Sequence, residues 1–433
     1  MTSRIQFDKF YYREFQNLPI LLDIGFPPLR NRRIDTLKIT DVKTILTAPD
    51  GIRLVVVKVE TSEPGLYGIG CATFTQRPLA VATAVDEYLK PFLIGKDPTN
   101  IEDIFQTSFV SSYWRNGPVL NNALSGVDIA LWDIMGKRAN MPVYQLLGGK
   151  CREAATLYGH AGGGTFEEVE NSIRRYMEQG YRYVRAQVTI PGYSTYGAGG
   201  GKRSSPAFEP TPYVNTVIKL FDHLRTKLGD EVELLHDVHE RIPPIQAINL
   251  AKGLEPYNLF FLEDPFAPED VDYFQLMRQQ TSIPIAMGEL FNNPNEYVHL
   301  IKDRLIDFIR VHISQIGGIS PARKLAAFCE FFGVRTAWHG PGDVSPVGHA
   351  ANVALDLACY NFGIQEQHVF GENTKEVFPG CPEIRDGCFW ANEAPGLGID
   401  VNEELAAQFP FPEHPLNGGW APVRRMDGTV IRP

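Results

Sequence analysis

Hydrophobic and polar positions repeat along this chain with two different periods, and each change of period marks a new part. Thr36–Thr47 and Ile52–Thr61 are rich in β-branched residues and flank Pro49-Asp50-Gly51, which predicts two strands joined by a turn. Helical spacing follows over Leu79–Leu93, Ile101–Tyr113 and Leu120–Ala139. The last carries Leu124, Val127, Leu131, Ile134 and Met135 on one stripe. Strands followed by helices predict an α+β domain over residues 34–150.

Over residues 151–370 the rhythm becomes strand, loop, helix, repeated. Candidate strands are Ala155–Ala161, Tyr181–Gln187, Val232–Asp237, Leu259–Glu263, Ile283–Glu289, Ile306–Val311, Val334–His339 and Phe362–Glu366. Helical patterns lie between them, among them Thr165–Gln179, Pro212–Leu228 and Pro243–Leu254. This many β/α repeats suit a TIM-type α/β barrel, whose usual size is about 250 residues. A doubly wound open sheet fits less well, because no G-x-G-x-x-G follows the early strands. Residues 371–433, rich in Pro, Gly and charge, are expected to pack back on the first domain. Residues 1–33 form an extension of mixed character ending in Arg30, Arg32 and Arg33.

Composition narrows the function classes. A net charge of −10 offers no basic surface for nucleic acid. No run reaches the roughly 18–20 apolar residues of a membrane span. The first residues lack the pattern of an export signal, and the six cysteines are scattered without a C-x-x-C pair. Together these predict a cytoplasmic protein with reduced thiols.

The chemistry concentrates at the predicted strand ends. Asp237, Glu263 and Glu289 close successive strands, 26 residues apart in both steps. All strand C-termini of a parallel barrel open on one face, and neighbouring strands lie about 4.8 Å apart, so the three carboxylates converge. Left alone they would repel; a hard divalent cation such as Mg²⁺ resolves the conflict. Asp264, just before Pro265, reads instead as a loop residue. Other strand ends supply His160, Arg185, Gln187, His239, Arg310, His339 and Glu366. A purely structural core has no need of so many polar groups on one rim.

Six of these residues, His160, Arg185, Gln187, Asp237, His239 and His339, occur within Y-G-H-A-G-G (158–163), V-R-A-Q (184–187), L-L-H-D-V-H (234–239) and W-H-G-P-G-D-V-S-P-V-G-H (338–349), and S-T-Y-G (194–197) follows the second. In these motifs the chain resembles the enolase superfamily, and within it the mannonate dehydratase-like group, from Ile34 to Pro433. The resemblance implies a modified (β/α)₇β barrel beneath an α+β capping domain that the C-terminal tail completes. It implies Mg²⁺ on Asp237, Glu263 and Glu289, with Arg310, His339, Asp343 and Glu366 around the substrate. The implied reaction removes the proton α to a carboxylate, giving an enediolate that expels a β-hydroxyl to leave a 2-keto-3-deoxy sugar acid. A symmetric homo-oligomer is also implied.

The base distinguishes this chain from sister groups, which place Lys-x-Lys where Arg185-Ala186-Gln187 stands. Arginine keeps its proton, so Arg185 is a poor base. The resemblance assigns that role to a loop tyrosine beside the arginine, and Tyr196 fits it ahead of Tyr193; a neighbouring guanidinium favours the phenolate. His239 is then the acid for the departing hydroxyl, although the same side chain would serve an epimerase. With Arg310 near its partner position, His339 is expected to hydrogen-bond substrate.

Two departures bear on the substrate. Thr75 stands where a substrate-contacting Asn is expected, and Asp427-Gly428-Thr429 is followed by Val430 rather than Trp, leaving Trp420 as a candidate contact. The glycine-rich loop from Gly192 to Ser205 is placed to close over substrate. Three readings follow: a D-mannonate or D-gluconate dehydratase, a dehydratase or epimerase of another aldonic acid, and a sugar-acid-binding regulatory homologue of the starvation-sensing kind.

Overall fold

Strand β1 (Ile39–Thr47) turns back on β2 (Leu54–Thr61), and β3 (Tyr67–Cys71) completes a three-stranded antiparallel sheet. The computed structural model describes residues 37–111, 113–190, 207–412 and 423–432. The alternation in β2 explains how the sheet is used. Val55, Val57 and Val59 enter the small core of this region, whereas Leu54 and Val56 join the large barrel core. Both faces are thus apolar over Leu54–Val57, an unbroken hydrophobic run before Lys58.

Helix α1 (Pro118–Ala139) lies across β3. It starts with Pro in its first turn and ends at Asn140 in a left-handed conformation, the usual asymmetry of helix termini. The approach is close because β3 carries glycines. A Cβ on Gly68 would come within 2.0 Å of Ala130 O, and one on Gly70 within 2.0 Å of Gly126 O. The same helix also fastens this region to the barrel. Asn121 Nδ2 donates to Asn292 O (2.9 Å) and Gln315 O (2.7 Å), and Asp128 Oδ2 accepts from Ser320 N (2.8 Å).

The barrel strands are β4 (Ala155–Gly163), β5 (Tyr183–Val188), β6 (Glu233–Asp237), β7 (Phe261–Glu263), β8 (Ile285–Met287), β9 (Phe308–Ile309), β10 (Arg335–Thr336) and β11 (Gln365–Glu366). They pair in parallel from β4 through to β10. Pairing of β11 with β4 and a parallel bridge from Thr336 to Phe362 close the ring. A helix separates each strand from the next, beginning with Phe166–Glu178, so the described residues form a (β/α)₇β barrel. Its interior is filled by Tyr158, Leu235, Phe261, Ala286, Phe308, Ala337 and Ile364, a packed layer rather than a pore.

The predicted elements differ from the observed ones in three informative ways. Leu79–Leu93 is interrupted by a π-helical stretch, Ala84–Leu89, and β3 carries no strong sequence pattern because Gly68 and Gly70 break its alternation. The tail divides. Glu403 pairs with Lys43 (2.9 Å) and Lys58 (2.6 Å), and Leu397 N donates to Asp133 Oδ1 (2.8 Å), on the first sheet and its helix. A hairpin of β12 (Glu383–Arg385) and β13 (Cys388–Trp390) instead extends the barrel wall by pairing with β4, and Phe208 N donates to Arg424 O. No described helix is long and apolar enough to cross a membrane.

Candidate active site

The rim follows from the packed layer below it by strand parity. Residues i and i+2 of a strand share a face. Two positions beyond Tyr158, Tyr183, Leu235, Phe261, Phe308, Ala337 and Ile364 stand His160, Arg185, Asp237, Glu263, Arg310, His339 and Glu366. One strand breaks the rule. Beyond Ala286 the i+2 position is Gly288, with φ of 139°, and β8 has already ended at Met287. The backbone turn that only glycine adopts readily there brings Glu289 to the rim.

Asp237 and Glu263 are direct register partners on β6 and β7. Around them the described residues bring together five carboxylates, those of Asp237, Glu263, Asp264, Glu289 and Glu366, and two guanidinium groups, Arg185 and Arg310. Arg310 is fully buried and is 2.7 Å from Glu263 Oε1, 2.8 Å from Glu289 Oε2 and 2.5 Å from Glu366 Oε2. Arg185 Nη1 is 2.7 Å from Asp237 Oδ2 and 3.4 Å from Glu263 Oε1.

Acid–base behaviour divides accordingly. Burial pushes Asp237 up, but the charges of His239 and Arg185 outweigh it and hold the carboxyl well below its ordinary range. For Glu263 and Asp264 burial wins, and both lie well above theirs. Burial takes His160 down to about 4 and holds His339 well below the usual imidazole range. With all five ionised, the carboxylates would outnumber the two guanidinium groups, an excess that a divalent cation would balance in place of the protons that burial favours on Glu263 and Asp264. The candidate ligand sets reflect this: Asp237 with Glu263 and Asp264, and Asp237 with His239 and Glu289, each bring their atoms within 4.8 Å. The first set is all carboxylate oxygen, the chemistry that Mg²⁺ takes; the second includes a histidine nitrogen, and neither joins Asp237, Glu263 and Glu289 in one set.

The anticipated residues that are described take definite places. His239 Nδ1 is 2.9 Å from Asp237 Oδ2, and its backbone is left-handed, with φ of 51°. His160 Nε2 lies 3.1 Å from Glu366 Oε1, and His339 Nε2 3.4 Å from Glu289 Oε2. Gln187 turns its amide onto Asp237 O (2.9 Å), supporting the backbone of a rim carboxylate. Asp343 Oδ1 is buried without a partner among the described residues. Thr75 is half-buried and donates to Gln76 Oε1 (3.0 Å). Its loop leaves β3 at Cys71, whose carbonyl accepts from Ser314 Oγ (3.3 Å) on the barrel, so the loop starts above the rim. Tyr196, Tyr193 and Trp420 lie outside the described residues.

Some members of the cluster had only a weak signal in the sequence. Asp264 is fully buried, with φ of 39°, and anchors Gly288 N (2.8 Å), fixing the turn that carries Glu289. It therefore belongs to the rim rather than to a solvated loop. Tyr158, in the layer below, takes hydrogen bonds from Arg310 at 3.2 and 3.3 Å.

Known proteins share this arrangement of parts. Residues 33–148 match the family model of the mandelate racemase / muconate lactonizing enzyme N-terminal domain, and residues 168–405 match the enolase C-terminal domain-like model. A D-galactonate dehydratase family member of Musicola paradisiaca is 57% identical over 92% of this chain and 99% of its own. The chain belongs to the D-galactonate dehydratase family of the enolase superfamily. A family member from Pantoea ananatis is 58% identical, covering 92% of this chain and 100% of that one. The crystal structure of an enolase from Pantoea ananatis, with bound D-gluconate and Mg, has a TM-score of 0.86 at 57% identity, over 92% of this chain and 100% of that one. A mandelate racemase/muconate lactonizing enzyme from Sulfitobacter sp. is more distant: its TM-score is 0.77 at 25% identity, over 88% and 97% of the two chains. Membership in this superfamily accounts for a capping domain in front of an enolase-type barrel.

Proposed function

We propose that this protein is a Mg²⁺-dependent hydro-lyase of D-gluconate or D-mannonate, yielding a 2-keto-3-deoxy sugar acid. The observation that carries the reading is the rim itself, where register-paired Asp237 and Glu263 meet Glu289, Glu366 and two buried arginines. The Pantoea enolase that holds D-gluconate and Mg supports the substrate class. A divalent ion held by Asp237, Glu263 and Glu289 supplies positive charge where the substrate carboxylate gains electron density.

The chain's own residues do the rest. Arg185 holds Asp237 ionised and lends its charge to the base, Tyr196, whose phenolate takes the proton next to the carboxylate. His239, oriented through Nδ1 by Asp237, gives a proton to the leaving hydroxyl from its other nitrogen. Arg310 and Glu366 form a fixed pair against which His160 and the substrate hydroxyls align. We place the enzyme in the cytoplasm as a homo-oligomer, with the tail and the 72–77 loop choosing among sugar acids.

Incubating the Mg²⁺-loaded protein with a panel of C5 and C6 aldonic acids, and detecting 2-keto-3-deoxy products, tests the reading. Turnover of D-gluconate or D-mannonate, lost by at least 100-fold in Tyr196→Phe, is expected. Saturable binding without turnover of any acid would favour the regulatory reading, and full activity in Tyr196→Phe would overturn the assignment of the base.

A further inference from the structure

Backbone pairing along the barrel wall stops early at one seam. Strand β5 stays paired with β4 as far as Val188, and β6 with β7 as far as Glu263, but β5 and β6 part after Arg185 and Leu235. The rim groups Arg185, Gln187 and Asp237 stand at or beyond that point. Arg185 Nη1 still comes within 2.7 Å of Asp237 Oδ2 across the seam.

Side chains take over where the ladder ends. Gln187 Nε2 donates to Asp237 O (2.9 Å), and His236 Nδ1 lies 2.9 Å from Ala186 O. His236 falls between the inward-facing Leu235 and Asp237, so it points out of the barrel, against the helix Pro210–Leu228. There its ring meets Phe221 edge-on at 5.7 Å, and its Nε2 is 2.7 Å from the Tyr213 hydroxyl.

These partners settle where the proton sits. His236 is 1% exposed, and burial pushes it down to about 4, so the ring is neutral and carries one N–H. A carbonyl oxygen only accepts, so that N–H is at Nδ1 and faces Ala186 O. Nε2 then accepts from the Tyr213 hydroxyl, whose other neighbour, Asp237 O, is farther away at 3.3 Å. Tyr213 thus favours the tautomer that can bridge the two strands.

We propose that His236 is a positioning residue: its Nδ1–H closes the β5–β6 seam above the last backbone pair and holds Arg185 in place beside Asp237 for proton abstraction. The part concerning proton abstraction rests on the functional reading above; the hold on the seam does not. Because Asp237 and Glu263 stay paired through β6 and β7, losing the bridge loosens Arg185 without dispersing the candidate metal ligands.

Two substitutions separate the donor from the volume it fills. His236→Leu keeps apolar bulk and loses the donor, while His236→Asn keeps an N–H near the position of Nδ1. Hydrogen exchange in the Mg²⁺-loaded protein should be at least about 10-fold faster over 184–189 in His236→Leu, with 261–264 unchanged, and close to the parent in His236→Asn. Dehydration kcat should fall by about 10- to 100-fold in the first and by less than about threefold in the second, while Mg²⁺ affinity holds in both. Nitrogen NMR of histidine-labelled protein, with His236 identified by the signal missing from His236→Asn, should show Nδ1 protonated and Nε2 bare. If His236→Leu fails to fold, His236→Met, whose unbranched chain adapts to the space, takes its place. Unchanged exchange over 184–189, equal loosening of both peptides, a proton on Nε2, or a His236→Asn protein that behaves like His236→Leu overturns the proposal. So does a loosened seam with parental kcat. A parent that dehydrates no sugar acid while showing the exchange pattern overturns the functional reading and supports the hold of His236 on the seam.

Discussion

Replacing Arg310 by Met should weaken the metal-free protein and tighten its grip on Mg²⁺ at the same time. The guanidinium is fully buried and is 2.7 Å from Glu263, 2.8 Å from Glu289 and 2.5 Å from Glu366. Removing one partner of a buried ion pair costs about 3–5 kcal/mol, because the charge left behind has neither water nor a counter-ion. Neighbouring Arg185 and protonation of Glu263 offset part of this, so the lower end, about 3 kcal/mol, is the expected loss in chelator. For a chain of this size that lowers Tm by roughly 3–4 °C. The sign reverses for the metal. Glu263 and Glu289 must give up Arg310 to serve as ligands, and a hydrogen bond to a charged group is worth about 1.5–3 kcal/mol. Freed of that competition, they should bind Mg²⁺ about 10- to 100-fold more tightly. Calorimetric titration with Mg²⁺ and thermal melts with and without chelator measure both effects. Dehydratase activity should still fall by at least about 100-fold, since Arg310 also fixes Glu366. An Arg310→Met protein that melts like the parent in chelator, or binds Mg²⁺ no better, would refute the view that the arginine occupies the ligands' charge.

Three further outcomes follow from single contacts. His239→Asn keeps an amide near Nδ1 of the parent histidine, 2.9 Å from Asp237, so Mg²⁺ affinity should hold within about threefold while kcat drops by about 10²–10⁴; an unchanged kcat would remove His239 from the acid role. Burial, with Asp264 and Glu289 nearby, pushes Glu240 up to about 10, against about 4.3 in an unfolded chain, so between those values the folded state holds a proton the unfolded state has lost. Stability of the metal-free protein should therefore fall as pH rises from about 6 to about 9, and Glu240→Gln should fall less; parallel melting curves would contradict the cause given. Gly70→Ala drives a methyl to within 2.0 Å of Gly126 O and 2.8 Å of Ala130 N, and should cost about 3 kcal/mol or more in urea unfolding, whereas a neutral result would mean that α1 can shift away from β3.

Much of the site was legible because a barrel turns a local rule into a global one. An inward-facing apolar residue and a polar residue two positions later share a face whatever the rest of the chain does. Runs such as Leu235-His236-Asp237 and Phe261-Leu262-Glu263 therefore put Asp237 and Glu263 on the rim, directly above the interior layer that the structure shows. Repetition of that pattern over successive strands, with helical spacing between, also specified the barrel, and the motifs specified the superfamily. Tertiary structure decided what a period cannot encode. Glu289 is out of phase with its strand and reaches the rim only through the positive φ of Gly288, which Asp264 holds in place. Arg310 meets Glu289 and Glu366, 21 and 56 residues away in sequence, because closure of the ring puts their strand ends on one side. Likewise the tail reads as one polar segment, yet it divides between the first sheet and the barrel wall. Parity is a property of neighbouring residues and is written in their order. Charge pairing depends on which strands become neighbours when the ring closes, and only the folded chain sets that.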